Sequence, residues 1–193
     1  MQKDKDIKDK TGIKGFITTH VFDMTSKKAL AIEQEIQELL KKPLSERPRQ
    51  IYIEMVNDLK RLFIVREYAH RNLLPTVGRA VIAQRLANDT TYTGIINYGA
   101  LGSGSTTPAN SDTTLDTEVF RKTVASASDT DNMAFIDFFY SKSDTNGTYN
   151  EFGTVIDGTG SADTGQLFNH VLTGGWVKTS SESMTVACEF DID

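Results

Sequence analysis

The chain has 193 residues, a single cysteine, 24% charged residues and a formal net charge of −5. One cysteine excludes an internal disulfide framework and any multi-cysteine metal site. The length is enough to build a core without staples, as one large domain or one domain with an insertion. No apolar run approaches the roughly 18 residues that cross a bilayer, and the charged start of the chain lacks the apolar centre of a signal peptide. A soluble protein made inside the cell, with no membrane partner, is therefore expected.

The net charge hides an asymmetry. Residues 1–90 hold 17 basic and 12 acidic side chains, a net of +5, whereas residues 91–193 hold 4 and 14, a net of −10. Halves of opposite sign can attract each other within one copy or between copies. The basic half alternates in sign and carries no stripe of aromatic and basic residues, so no nucleic-acid partner is expected.

Residues 1–10 alternate Lys and Asp and hold too little apolar surface to pack alone, which predicts a flexible or partner-bound arm reaching to about residue 12. Residues 16–23, rich in β-branched and aromatic types, read as a strand. The period then changes. Ala29, Ile32, Ile36, Leu39 and Leu40 fall on one face of a helix over 27–42, with Ser26 or Thr25 as N-cap, a Glu38–Lys42 pair and Pro43 as terminator. A second helix is expected behind a Ser45 cap, with Pro48 in its first turn and Tyr52, Met55, Val56 and Leu59 on its face. The result is a helical hairpin inserted at about 25–61. Its two stripes serve either as packing against each other and the sheet, or as a docking surface for a neighbouring subunit.

Residues 62–70 return to strand character. Pro75 breaks that strand, Thr76 is placed to cap, and Val77, Val81, Ile82 and Leu86 predict one short helix. Ile95, Ile96 and Tyr98 predict a short strand, followed by a surface loop over 99–112. Two glycines near Ser103 and Ser105 invite a phosphate-loop reading, but no Lys-Ser/Thr follows and no apolar helix opens there.

Four or five strands are expected over 117–192, starting near Thr117, Met133, Tyr149, Gly165 and Ser183. Asn146-Gly147 is the strongest short hairpin signal, because both residues tolerate positive φ. In the last strand Met184, Val186, Cys188, Phe190 and Ile192 alternate with polar or small residues, so one face is buried. Strands separated by turns rather than helices favour antiparallel pairing. The fold expected for 13–193 is mainly β: a jelly-roll-like antiparallel β-sandwich with the inserted helical hairpin and one short helix.

Chemistry is sparse. His20, His70 and His170 have no second ligand at zinc spacing, no GxSxG elbow occurs, and Cys188 sits on an apolar strand face as a core residue. Around Gly147 an EF-hand alignment fails, since Lys142 stands at its first position and Gly153 at its last. A loop cation site using Asp157 and Asp163 is the remaining metal alternative. No catalytic, cofactor or metal residue is assigned.

Several segments in fixed order resemble a class of tailed-bacteriophage virion proteins of the tail-fibre or tail-collar kind. They are RNLLPTVGRAVIAQRLA from Arg71, TGIINYGALGSGSTTP from Thr93, DTTLDTEVFRK from Asp112, NGTYNEFG from Asn146 and GQLFNH from Gly165. Together they span about 62–192, and the hairpin lies outside the pattern. The resemblance implies a non-enzymatic, virion-bound β-sandwich that acts through contacts with copies of itself and with other virion proteins at the tail, collar, neck or a fibre. A capsid decoration protein and a host-surface carbohydrate-binding module are the alternatives. The candidate subunit-interface residues are Ile32, Ile36, Leu39, Tyr52, Met55 and Arg121; the candidate glycan contacts are Trp176 and Tyr149. Glu118 and Arg121, three apart on one strand, are expected on opposite faces, with one of them in a buried or inter-subunit ion pair.

Overall fold

The computed structural model describes residues 12–192; the expected arm over 1–12 lies almost wholly outside the described residues. In chain order the elements are β1 (Ile13–Asp23), α1 (Lys27–Leu40), a single 3-10 turn (Leu44–Glu46), α2 (Arg49–Phe63), β2 (Ile64–Arg71), α3 (Thr76–Leu86) and β3 (Ile96–Gly102). They continue with β4 (Glu118–Thr123), β5 (Ser126–Thr130), β6 (Met133–Tyr140), β7 (Gly147–Ile156), β8 (Gln166–Lys178) and β9 (Glu182–Ile192). The strands form two antiparallel sheets, one ordered β2-β1-β9-β6-β5 and the other β4-β3-β7-β8. This is the expected sandwich. The chain lays down hairpins alternately in the two sheets, and β9 then inserts between β1 and β6, in unbroken register with β1 from Ile13↔Ile192 to Asp23↔Glu182.

The alternation read in β6 and β9 is what fills the sandwich. Phe138, Tyr140, Met184, Val186, Cys188 and Phe190 face Leu101, Phe152, Phe168, Val171 and Trp176 of the other sheet. Phe152 lies at the centre, 5.9 Å edge-on from Phe138 and 5.7 Å from Trp176 between ring centroids. Gly99 on β3 gives the Phe138 ring its place: a methyl group there would meet ring carbons at 2.8 Å.

The hairpin forms a third layer on the outer face of the five-stranded sheet. Ser26 Oγ caps α1 by accepting from Ala29 N at 3.1 Å. The apolar stripes of both helices then cover Phe22, Ala125 and Phe139. Glu33 of α1, buried, accepts the Lys142 backbone N–H at 2.6 Å and so fastens the helix to the segment between β6 and β7. On the other side of the sandwich, residues 103–117 and α3 lie over the four-stranded sheet. Leu115 packs on Ala100, Val155 and Leu167, and Gly78 brings α3 against the backbone of Phe168.

Several local expectations change. Ser45 falls in the 3-10 turn, and α2 starts at Arg49 behind Pro48, whose fixed φ suits a helix start. Thr76 is the first residue of α3, behind Pro75. Glu38 pairs with Lys41 at 2.6 Å, one residue short of Lys42. Asn146-Gly147 does not turn a hairpin: residues 141–146 carry the chain from one sheet to the other, folded around Asp144, which accepts from Ser141 N at 2.7 Å. The tight turn is instead at Asp131-Asn132, where Thr130 pairs with Met133 and Asp131 takes φ 53°. It closes β5, a strand absent from the expectation because its Ser, Ala and Asp residues carry no β signal; pairing with β6 extends it. Gly99–Gly102, expected as loop, belong to β3, where close ring packing favours small residues.

If the Phe138 ring needs the bare face of Gly99, Gly99→Ala will destabilise the protein by about 1–3 kcal/mol in urea unfolding. Unchanged stability would contradict this packing.

Candidate functional site

The hairpin residues singled out from the sequence are largely consumed inside the chain. Ile36, Leu39 and Tyr52 are buried against Phe22 and Phe139. As subunit-contact residues they are therefore corrected: their surface holds the hairpin to its own sheet. Ile32 and Met55 are half-buried along the same seam.

Arg121 is likewise corrected. Its guanidinium grips Glu118 through two contacts, Nε to Oε1 at 2.5 Å and Nη2 to Oε2 at 2.6 Å, with both side chains buried. It also donates to Thr159 O and Thr164 Oγ1 and lies 5.4 Å from the centre of the Tyr98 ring. The expected buried ion pair exists, but its two partners are those placed on opposite faces. A bulge explains this: Leu101 pairs with Phe120 and Gly102 with Glu118, so Val119 is skipped and Glu118 swings to the side of Arg121.

Trp176 and Tyr149 face each other across β7 and β8 and are 0% and 2% exposed. Trp176 packs with Tyr68, His70 and Phe152 and donates its indole N–H to His70 Nε2 at 3.1 Å. The acceptor nitrogen must be unprotonated, and burial lowers the His70 pKa in that direction. Neither ring is free to meet a sugar, so both are corrected as glycan contacts.

The strongest polar cluster was not foreseen. Glu151 on β7, fully buried, accepts the backbone N–H groups of Gly104, Asp116 and Thr117 at 2.7–3.0 Å. Its second oxygen lies 3.0 Å from His170 Nε2, and His170 Nδ1 lies 2.8 Å from Asp112. Both ring nitrogens face carboxylate oxygens, and which of them donates depends on the tautomer. The cluster closes residues 103–117 over the sheet. The Asp112–His170 pairing has no local sequence signal, because 58 positions separate the partners.

A second polar cluster lies under α2. A cleft of about 150 Å³ runs between α2 and the outer face of β6 and β9, bordered by Arg49, Lys60, Asp137 and Glu189. The buried hydroxyls of Tyr52 and Thr185 find no protein partner there among the described residues, and the cleft is roomy enough for bridging water. Burial pushes the Asp137 carboxyl up to about 6, against the opposing pull of Arg49 and Lys60.

Two apolar surfaces remain open. At one end of the sandwich an apolar mouth of about 280 Å³ opens between the sheets, rimmed by Ile95 and Ile192. Along one side runs β2, an edge strand paired, among the described residues, only with β1, where Ile64 and Val65 are exposed and Leu62 and Val177 are exposed nearby. The Asp157 carboxylate is taken by Thr93 N and Oγ1 at 2.7 and 2.5 Å. Among the described residues no group of three or more His, Cys, Asp or Glu is placed to hold a metal ion, and no helix is long and apolar enough to cross a membrane.

No family model matches the sequence, no curated protein matches it, and no solved structure matches the fold.

Two outcomes follow from the clusters. Glu151→Gln leaves buried donors and the imidazole poorly matched, so it will cost about 3 kcal/mol or more and speed amide exchange at Gly104 and Thr117; unaltered exchange there would show the clamp is inert. For Asp137, a folded pKa above the usual aspartate range means stability is fully present at low pH and falls as pH rises from about 4 to about 6, by at most about 3 kcal/mol. Unfolding of wild type and Asp137→Asn across pH 3–8 tests this. The Asn variant should gain relative stability through that window, and parallel profiles would exclude the assignment.

Proposed function

We propose that this chain is a non-enzymatic structural protein of a tailed-bacteriophage virion, acting at the tail, collar, neck or a fibre through contacts with copies of itself and with other virion proteins. Two things support the reading. The ordered segments between Arg71 and His170 resemble that class of protein. The single structural observation that carries the contact role is β2: an edge strand whose outer flank is unpaired among the described residues, with neighbouring apolar side chains exposed at Leu62, Ile64 and Val65 and Val177 close by.

Native sheets ordinarily shield such an edge with charge, bulges or a covering element, because unpaired N–H and C=O groups template further strands. Here Glu67 and Arg71 put charges of both signs on the exposed positions that follow Val65. Charges of both signs next to an apolar lip suit an edge that pairs in one register with a specific partner strand. The Arg121 pair, the Glu151 clamp and the buried Trp176 all act within the chain, so the groups with chemical reach are spent on holding the sandwich rather than turned outward.

The test is location in the particle. A tagged copy supplied during phage growth, followed by tag-directed gold labelling of purified virions, is expected to mark the tail, collar or neck. Label over the head would make the protein a decoration unit instead, and particles without label would overturn the reading. On the isolated protein, Val65→Lys is expected to weaken self-association about tenfold or more while leaving the unfolding transition in place; light scattering across concentrations reads the first and calorimetry the second.

A further inference from the structure

The cleft between α2 and the outer face of β6 and β9 follows from two patterns in the sequence. On α2, Arg49, Ile53, Val56 and Lys60 recur at helical spacing, so one face begins and ends with a cation and is apolar between. On β9, Met184, Val186 and Phe190 point into the sandwich, which turns Thr185, Ala187 and Glu189 outward under the helix. Ala187 stands opposite Asp137 of β6, at the middle of this floor. A methyl group there, where its neighbours carry longer side chains, leaves a space of about 150 Å³ beneath α2. That is the liquid volume of about five waters.

The polar groups around this space are not used by the fold. Tyr52 and Thr185 are 2% and 3% exposed, and among the described residues neither hydroxyl has a hydrogen-bond partner. Arg49, Lys60, Asp137 and Glu189 border the same space, two charges of each sign, and among the described residues none of them forms an ion pair. Burial raises the Asp137 pKa, as expected of a carboxylate with no cation close enough to offset its desolvation. Arg49 and Asn57 are exposed, so the space opens to solvent along their side of the helix. Bridging water answers the hydroxyls alone. Separated charges of both signs suit a ligand that carries both signs itself. A net anion would meet Asp137 and Glu189, and a net cation would meet Arg49 and Lys60.

We propose that this cleft binds a small zwitterion of amino-acid size, with its carboxylate set toward Arg49 and Lys60, its ammonium toward Asp137 and Glu189, and its remaining atoms over Ala187 within reach of the Tyr52 and Thr185 hydroxyls. The volume admits roughly five to seven non-hydrogen atoms, the range from glycine to serine. A hydroxyl on the ligand matches the two buried hydroxyls, which donate and accept equally well. The inference does not rest on the virion reading or on the β2 edge.

The full-length protein tests it by amide chemical-shift titration with L-serine. The signals of Asn57, Asp137, Thr185 and Ala187 are expected to move together and to give a Kd of about 1 mM or tighter. Ethanolamine, which lacks the carboxylate, and glycolate, which lacks the ammonium, are each expected to bind at least about tenfold more weakly. Lys60→Met and Asp137→Asn each remove one charge and should weaken L-serine binding by a similar factor while calorimetry shows the protein folded. Ala187→Leu, which fills the floor, should abolish the shifts; the ligand series decides the matter even where a variant does not fold. The absence of shifts at about 50 mM L-serine would overturn the proposal. So would equal binding of ethanolamine or glycolate, shifts confined to other parts of the chain, or the same shifts with glycerol at equal concentration, because the site would then read hydroxyls alone.

Discussion

The hairpin α1–α2 sets what the rest of the molecule can do. By packing Tyr52, Val56 and Leu59 on Phe22 and Phe139 it covers the outer face of the five-stranded sheet. On the opposite side the Glu151 clamp draws residues 103–117 over the four-stranded sheet. Apolar area is removed from water on both outer faces as well as between the sheets, and each buried large side chain contributes about 1.5–3 kcal/mol. The surfaces left for partners are then sheet edges and sandwich ends. The β2 edge and the apolar mouth are two such places, and both follow from how thoroughly the faces are used.

The elements with a strong period were legible in the sequence. Alternation in β9 and β6 gave strands and buried faces, and the 3.6-residue stripes of Ile36, Leu39, Tyr52 and Val56 gave the hairpin. Where the reading went astray, the deciding partner is distant in sequence. β5 is a strand because β6 pairs with it. Asn146-Gly147 has the composition of a tight turn, yet the chain there crosses between sheets, held by Asp144 and by Lys178, which donates to Asn146 Oδ1 at 2.8 Å. The bulge at Val119 that joins Glu118 to Arg121 depends on the register of β3. Of the candidate contact residues, sequence pattern identified apolar and aromatic groups correctly but could not tell which surface would consume them: Trp176 and Tyr149 became core.

The buried polar groups share one logic. Arg121 grips Glu118 and also donates to Thr159 and Thr164, and His170 lies between Glu151 and Asp112, so each side chain is held by hydrogen-bond partners. Such groups contribute less to net stability than to the uniqueness of the arrangement, because breaking one side leaves a buried charge without compensation. Each ties a loop to a strand: Arg121 holds 159–164, and Glu151 holds 103–117. Asp137 differs. Among the described residues it sits beside Arg49 and Lys60 without a close ion pair, in a cleft where the Tyr52 and Thr185 hydroxyls have no protein partner, and burial raises its pKa.

The claim that contact with other subunits runs through the β2 edge is tested most directly by hydrogen–deuterium exchange at low and high protein concentration. The account predicts that amides of Ile64–Arg71 gain protection as the protein associates, while those in the interior of β9 stay equally slow in both conditions. Association accompanied by unchanged exchange along β2, with protection appearing elsewhere, would contradict it.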